Sequence, residues 1–112
     1  MALVINTRIF EIEEGSFGLS VDGNYEETQA FFNEQDLLGD GCTWHAVVDA
    51  LVRMRMRDNR RRLEFTCEAD SLLILGDDRV LLESVETLVR EAAQSEETIL
   101  DAIANADPDY LE

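Results

Sequence analysis

Apolar and polar positions alternate in two early stretches of the chain. Phe10 and Ile12 interleave with Glu11 and Glu13. After Glu14-Gly15-Ser16, the residues Phe17, Leu19 and Val21 interleave with Gly18, Ser20 and Asp22. Period-two patterning on both sides of turn chemistry predicts a β-hairpin with a half-buried face. Residues 3–13 as a whole are rich in β-branched and aromatic side chains, but their parity slips: Leu3, Ile5 and Ile9 share one phase, Phe10 and Ile12 the other. A bulge near Thr7 and Arg8, or a separate short first strand, would explain the slip. Asp22-Gly23-Asn24 closes the hairpin. Asn24 followed by Glu27 has the pattern of a helix start. Thr28, Phe31, Phe32 and Gln35 then share one helical face, which predicts a helix over 25–36, with a strand as the competing assignment.

The period changes to helical beyond the glycine-bracketed turn Gly39-Asp40-Gly41. With Thr43 as N-cap, Trp44, Val47, Val48, Leu51 and Met54 recur as one buried stripe, and His45, Asp49 and Arg53 fall off it. Continuing the helix would swing Arg55 over that stripe, so the helix is expected to end near Arg55 or Met56. Leu63, Phe65 and Cys67 alternate with Glu64, Thr66 and Glu68, predicting a strand. Ala69-Asp70-Ser71 turns the chain, and the apolar run Leu72 to Leu75 fits a central strand. Asp77 or Asp78 can cap the next helix, whose stripe is Leu81, Val85, Leu88, Val89 and Ala92. Ser95-Glu96-Glu97 opens a last helix with Ile99, Leu100 and Ile103. Asp107-Pro108 stops it, leaving a tail, Asp109 to Glu112, that is expected to fray. The pattern predicts an α+β protein: a single small domain over 1–112, mostly antiparallel sheet with about three to four helices packed on it.

Composition adds a strong charge asymmetry. The chain of 112 residues is 46% apolar, enough for a real core, and carries 25 acids against 9 bases for a formal net charge of −16. Every base is an arginine, and six of them (Arg53, Arg55, Arg57, Arg60, Arg61, Arg62) lie within ten residues. The macrodipole favours cations at a helix C-terminus, which explains part of that cluster. The remaining surface repels phosphate, so nucleic acid and anionic membrane are poor partners, whereas a basic protein would be steered in. Adaptation to high salt or a GC-rich genome is the competing explanation of such acidity. Neither a membrane span nor a signal peptide is evident, so the expectation is a cytoplasmic protein beginning at Met1. Cys42 and Cys67 lie 25 positions apart. They match no metal spacing and are expected to be small buried thiols of a reducing compartment, with a single bridge as the alternative.

Candidate chemistry is sparse. There is no nucleophile motif, phosphate loop or paired-histidine signature. His45 is the only histidine, and it is expected at the surface or its boundary, without an orienting partner for acid–base work. Gly39-Asp40-Gly41 and Gly76-Asp77-Asp78 lack the spaced oxygen ligands of a calcium loop and serve better as turns into helices. Trp44 belongs to the core stripe. No catalytic residue, metal or cofactor is expected.

One stretch carries a family likeness. Phe31-Phe32-Asn33-Glu34, then Gly39-Asp40-Gly41-Cys42-Thr43-Trp44, then Leu63-Glu64-Phe65 nineteen positions after the tryptophan, resembles the Immunity protein 51 family. So do Glu68-Ala69-Asp70-Ser71-Leu72 with its apolar strand and the helix from Arg79 to Val89. The likeness covers roughly 25–93. Cys42-Thr43 departs from the Tyr-Asp that usually precedes the tryptophan, and Thr66-Cys67 from the usual Asp-Pro. The resemblance implies a cytosolic antidote that binds a cognate bacterial polymorphic-toxin domain tightly, often over its active site. A ligand-binding or regulatory module without catalysis is the alternative. Candidate partner contacts are the acids of exposed turns, Asp36, Asp40, Asp77 and Asp78, which could meet a basic toxin surface. Arg60, Arg61 and Arg62 could meet an acidic patch on the partner or on a second copy of the chain.

Overall fold

The computed structural model describes residues 2–110. Four strands form one antiparallel sheet: β1 (Asn6–Glu13), β2 (Ser16–Asp22), β3 (Glu64–Cys67) and β4 (Ser71–Gly76), in the spatial order β1-β2-β4-β3. Four α-helices accompany it: α1 (Glu26–Glu34), α2 (Gly41–Arg55), α3 (Arg79–Ala93) and α4 (Glu96–Ala104), with 3-10 segments at Arg57–Arg62 and Pro108–Tyr110. The α+β expectation holds, and the apolar run 72–75 does form an interior strand. α2 and α3 cover one sheet face, on which Leu19, Val21, Leu72 and Ile74 are fully buried. The edge strands β1 and β3 are not paired further among the described residues.

The parity slip in β1 has a different origin from the one expected. Ile9 stands opposite Leu19 on the covered face, while Phe10 stands opposite Gly18 on the other face. Both faces of the strand are partly apolar, so no bulge is needed at Thr7 or Arg8. The register shift lies instead between Glu11 and Glu13, beside the turn. Leu3 and Val4 precede the strand: the Leu3 N–H donates to the Ala93 carbonyl, and the buried Thr28 hydroxyl bonds both backbone groups of Val4.

Two helix starts also differ. Tyr25, not Asn24, is the N-cap of α1, and it makes no side-chain cap bond; the Asn24 amide oxygen accepts from Gln29. Helix α2 begins at Gly41 with Asp40 as N-cap, because the Asp40 carboxylate accepts from the Thr43 N–H at 2.9 Å. Thr43 sits inside the helix, where its hydroxyl donates to Asp40 and accepts from the Gly39 N–H. This earlier start brings Gly41 against the β3–β4 turn. A Cβ there would lie 2.0 Å from the Glu68 carbonyl oxygen and 2.2 Å from that of Ser71, so only glycine permits the approach. Cys42 and Cys67 form a disulfide at the same junction, in place of the free thiols expected.

Helix α2 is buried more broadly than one stripe. Trp44, Val47, Val48 and Leu51 are in the core as expected, but so are Ala46, Ala50, Val52 and Asp49. The sheet lies on one side of α2, while α4 and the 3-10 segment 57–62 flank it. Met54 lies beyond that cover and is 44% exposed. Leu100 of α4, at 41%, likewise misses the core. Asp78 caps α3, and Ser95 caps α4. Leu111 and Glu112, the end of the tail expected to fray, lie outside the described residues.

Candidate functional site

Charge placement along the 53–62 segment begins with Asp49. Although it is 3% exposed, both of its carboxylate oxygens are used. Oδ2 accepts from Arg53 Nε at 2.9 Å and Oδ1 from Arg60 Nε at 2.6 Å. Arg60 also donates to the Leu63 carbonyl at 3.0 Å and lies over the Phe65 ring, 4.2 Å from its centroid. Arg60 therefore folds the 3-10 segment back onto α2 and β3, with its side chain 25% exposed. No local pattern marks this pair, because Asp49 and Arg60 are eleven positions apart and meet only through the reversal after Met56.

His45 belongs to the same cluster. Its ring stacks on Tyr110 at 4.3 Å between centroids and leans on Phe65 at 5.2 Å. Tyr110 is thereby docked, contrary to the frayed tail expected. The buried His45 Nε2 has no hydrogen-bond partner among the described residues. Burial lowers the His45 pKa from its ordinary 6.5, opposed by Asp49 and reinforced by the Arg60 charge. With the folded-state value below the unfolded one, the unfolded chain takes the proton first as pH falls. This contribution to stability is complete above the unfolded value and is lost as pH falls through it toward the folded value. The melting temperature is expected to fall between about pH 7.5 and about pH 5.5, and His45→Phe, which keeps a ring in the stack, is expected to flatten that slope. Thermal melts of both proteins across this window check it; parallel slopes would refute it.

Three of the seven expected contact residues come together at one end of the sheet. An open groove of about 460 Å³ is lined there by Arg61, Arg62, Leu63, Glu64, Leu75 and Asp77, with the hairpin turn at Gly15 and Ser16 across from the arginines. Arg62 lies 3.6 Å from Asp77 and 3.2 Å from Asp78. Asp78 adjoins the groove but is occupied in capping α3 through the Val80 and Leu81 N–H groups. Its pKa is lowered first by the Leu81 N–H bond, with Arg62 and the Val80 N–H adding to the effect against the desolvation that raises it. Arg61 is exposed and makes no hydrogen bond or ion pair among the described residues.

The other two acids are placed elsewhere. Asp40 caps α2 at the opposite end of the sheet, where the Gly41 N–H meets the Ala69 carbonyl. Asp36 follows α1 with φ of 61°. It occupies the left-handed position of a helix-ending turn in which the Leu37 N–H returns to the Phe32 carbonyl. Both have a sufficient backbone reason to be where they are. No positional signal separates the three adjacent arginines, which all end the 3-10 segment Arg57–Arg62.

The comparisons with known proteins place these features in a family. The model of Immunity protein 51 matches residues 8–108. The chain belongs to the Immunity protein 51 family. The match extends past the stretch 25–93 that carries the quoted motifs, taking in most of the β1–β2 hairpin and α4. No curated protein and no solved structure matches the chain. No helix among the described residues is long and apolar enough to cross a membrane.

Proposed function

We propose that this Immunity protein 51 member is a cytoplasmic antidote that binds a cognate bacterial toxin domain and neutralises it by occlusion, without catalysis. The observation that carries the proposal is the family match over 8–108. The charge supports its electrostatic part: a chain of net charge −16 draws a basic toxin surface in by its long-range field and repels nucleic acid. A toxin that acts on nucleic acid would supply such a surface, with carboxylates of the antidote standing where substrate phosphates would sit.

Co-expression with the toxin encoded beside its gene is expected to rescue growth, and the two proteins are expected to co-elute on size exclusion. Their association rate should fall roughly tenfold or more between about 0.05 and 0.5 M salt. Absence of both rescue and complex would sink the antidote reading. A complex whose association is indifferent to salt would sink only the electrostatic part. The size of the groove favours the alternative of a small-ligand module, since it falls within the range of ligand pockets. Its opposed charges and openness suit a protein contact better.

A further inference from the structure

The sheet has one covered face and one open face. On the open face, the Phe10 ring lies directly on Gly18; a Cβ at Gly18 would be 2.7 Å from the end of that ring and 3.3 Å from Leu73. Phe10, Leu73 and Leu75 are each only half-buried there, whereas Leu19, Val21, Leu72 and Ile74 on the covered face are inaccessible. The Arg8 guanidinium lies 5.1 Å from the Phe10 ring centroid. Leu75 belongs both to this face and to the groove beside Arg61. The two features are therefore one continuous surface, apolar in the middle and charged, with both signs, at one end.

Of the arginines in the 53–62 segment, Arg55, Arg57 and Arg61 form no ion pair with a carboxylate among the described residues, and of these three only Arg61 lines the groove. Its immediate neighbours are paired: Arg60 holds Asp49, and Arg62 holds Asp77 and Asp78. Arg61 makes no such pair among the described residues, although it stands over a floor partly made of Leu63 and Leu75. A carboxylate brought in by a partner would complete it and be partly desolvated by that floor, which strengthens the pair.

We propose that the toxin domain docks across the open sheet face and seats one of its carboxylate side chains in the groove against Arg61. The proposal rests on the antidote reading and adds to it the surface used and one contact of inverted sign. A basic toxin drawn in by the acidic field has few carboxylates, so pairing one of them with Arg61 fixes the register of docking. Field and groove then have separate roles, the first in association rate and the second in dissociation rate.

The test uses the full-length protein and the toxin domain encoded beside its gene, in catalytically inactivated form, with binding kinetics as readout. Arg61→Glu and Arg57→Glu change net charge equally, and both positions are exposed, but Arg57 does not line the groove. Thr66→Trp adds bulk at an exposed position on the open face, opposite Leu73. Arg61→Glu and Thr66→Trp are each expected to raise the dissociation rate roughly tenfold or more, while Arg57→Glu stays within about twofold. Melting curves that match the parent exclude misfolding, and Arg61→Ala replaces Arg61→Glu if the reversal alone perturbs the fold. Parental affinity in either the groove or the open-face variant overturns the proposal, as does tighter binding by Arg61→Glu. Failure of the parent protein to bind the toxin at all removes the antidote reading itself. A shift of the toxin-free protein from dimer to monomer in Arg61→Glu would assign the groove to a second copy and also overturn the proposal.

Discussion

Removing the Cys42–Cys67 bridge is expected to destabilise the protein by about 3.5 kcal/mol, the chain-entropy value for a closed loop of this length. The bridge ties the second residue of α2 to the last residue of β3, closing a loop that contains α2 from Cys42 onward and the arginine segment. The junction also has contacts that do not involve the bridge: Gly41 lies against the Glu68 and Ser71 carbonyls, and its N–H donates to the Ala69 carbonyl at 3.2 Å. The effect therefore falls chiefly on the unfolded chain, which gains freedom once the loop opens. The reduced protein should remain folded at room temperature but melt about 15 °C lower, as expected for a loss of this size in a domain of this length. Comparing melts of the parent, with and without reductant, against Cys42→Ser/Cys67→Ser checks this. The double variant should match the reduced parent, and a reduced parent with verified free thiols and an unchanged melt would refute it.

That bridge marks a limit of what the chain discloses locally. The periodicity of Leu81, Val85, Val89 and Ala92 and the alternation of Phe17, Leu19 and Val21 are local properties. Each reports directly which face is buried, and the structure agrees at these positions. The cysteines carry no periodic signal. Only the tertiary meeting of the start of α2 with the end of β3 pairs them. Asn24 and Thr43 failed as caps for a related reason: several residues in each turn can accept the same N–H, and packing decides among them. At α2 the decision comes from Gly41, whose bare Cα lets the helix begin three residues earlier than Thr43 as N-cap would allow.

The candidate site was legible in part. The arginine run stood out by composition, and the structure brings Arg61, Arg62 and Asp77 to one groove. What the run could not disclose is that its three adjacent arginines have three different environments. Arg60 is consumed by Asp49 and Phe65, Arg62 by the acidic turn before α3, and Arg61 by nothing within the described residues. The open sheet face was hidden for another reason. Phe10 on one side of β1 and Ile9 on the other resemble a phase error as long as only one apolar face is expected.

Replacing Asp49 by alanine is expected to cost about 3 kcal/mol, the lower end of the range for deleting one partner of a buried ion pair. The lower end applies because the side chains left behind are not fully enclosed: Arg53 is 41% and Arg60 25% exposed, against 5% for the carboxylate between them. The loss should be more than one contact deep. Arg60 also supports the Leu63 carbonyl and the Phe65 ring, and Arg53 reaches the Asn105 carbonyl at the end of α4 at 3.1 Å. Without Asp49, both arginines lose the group that orients them, so the 3-10 segment carrying Arg61 should loosen together with the α4 end. Asp49→Asn keeps the volume and one acceptor, and it is expected to lose less. Urea denaturation with a fixed slope gives the stability difference, and hydrogen exchange at 57–62 reports the loosening. An alanine variant with parental stability and unchanged exchange would show that the pair only offsets its own desolvation. An alanine variant that is less stable but retains parental exchange at 57–62 would confine the role of Asp49 to α2 and leave the groove independent of it.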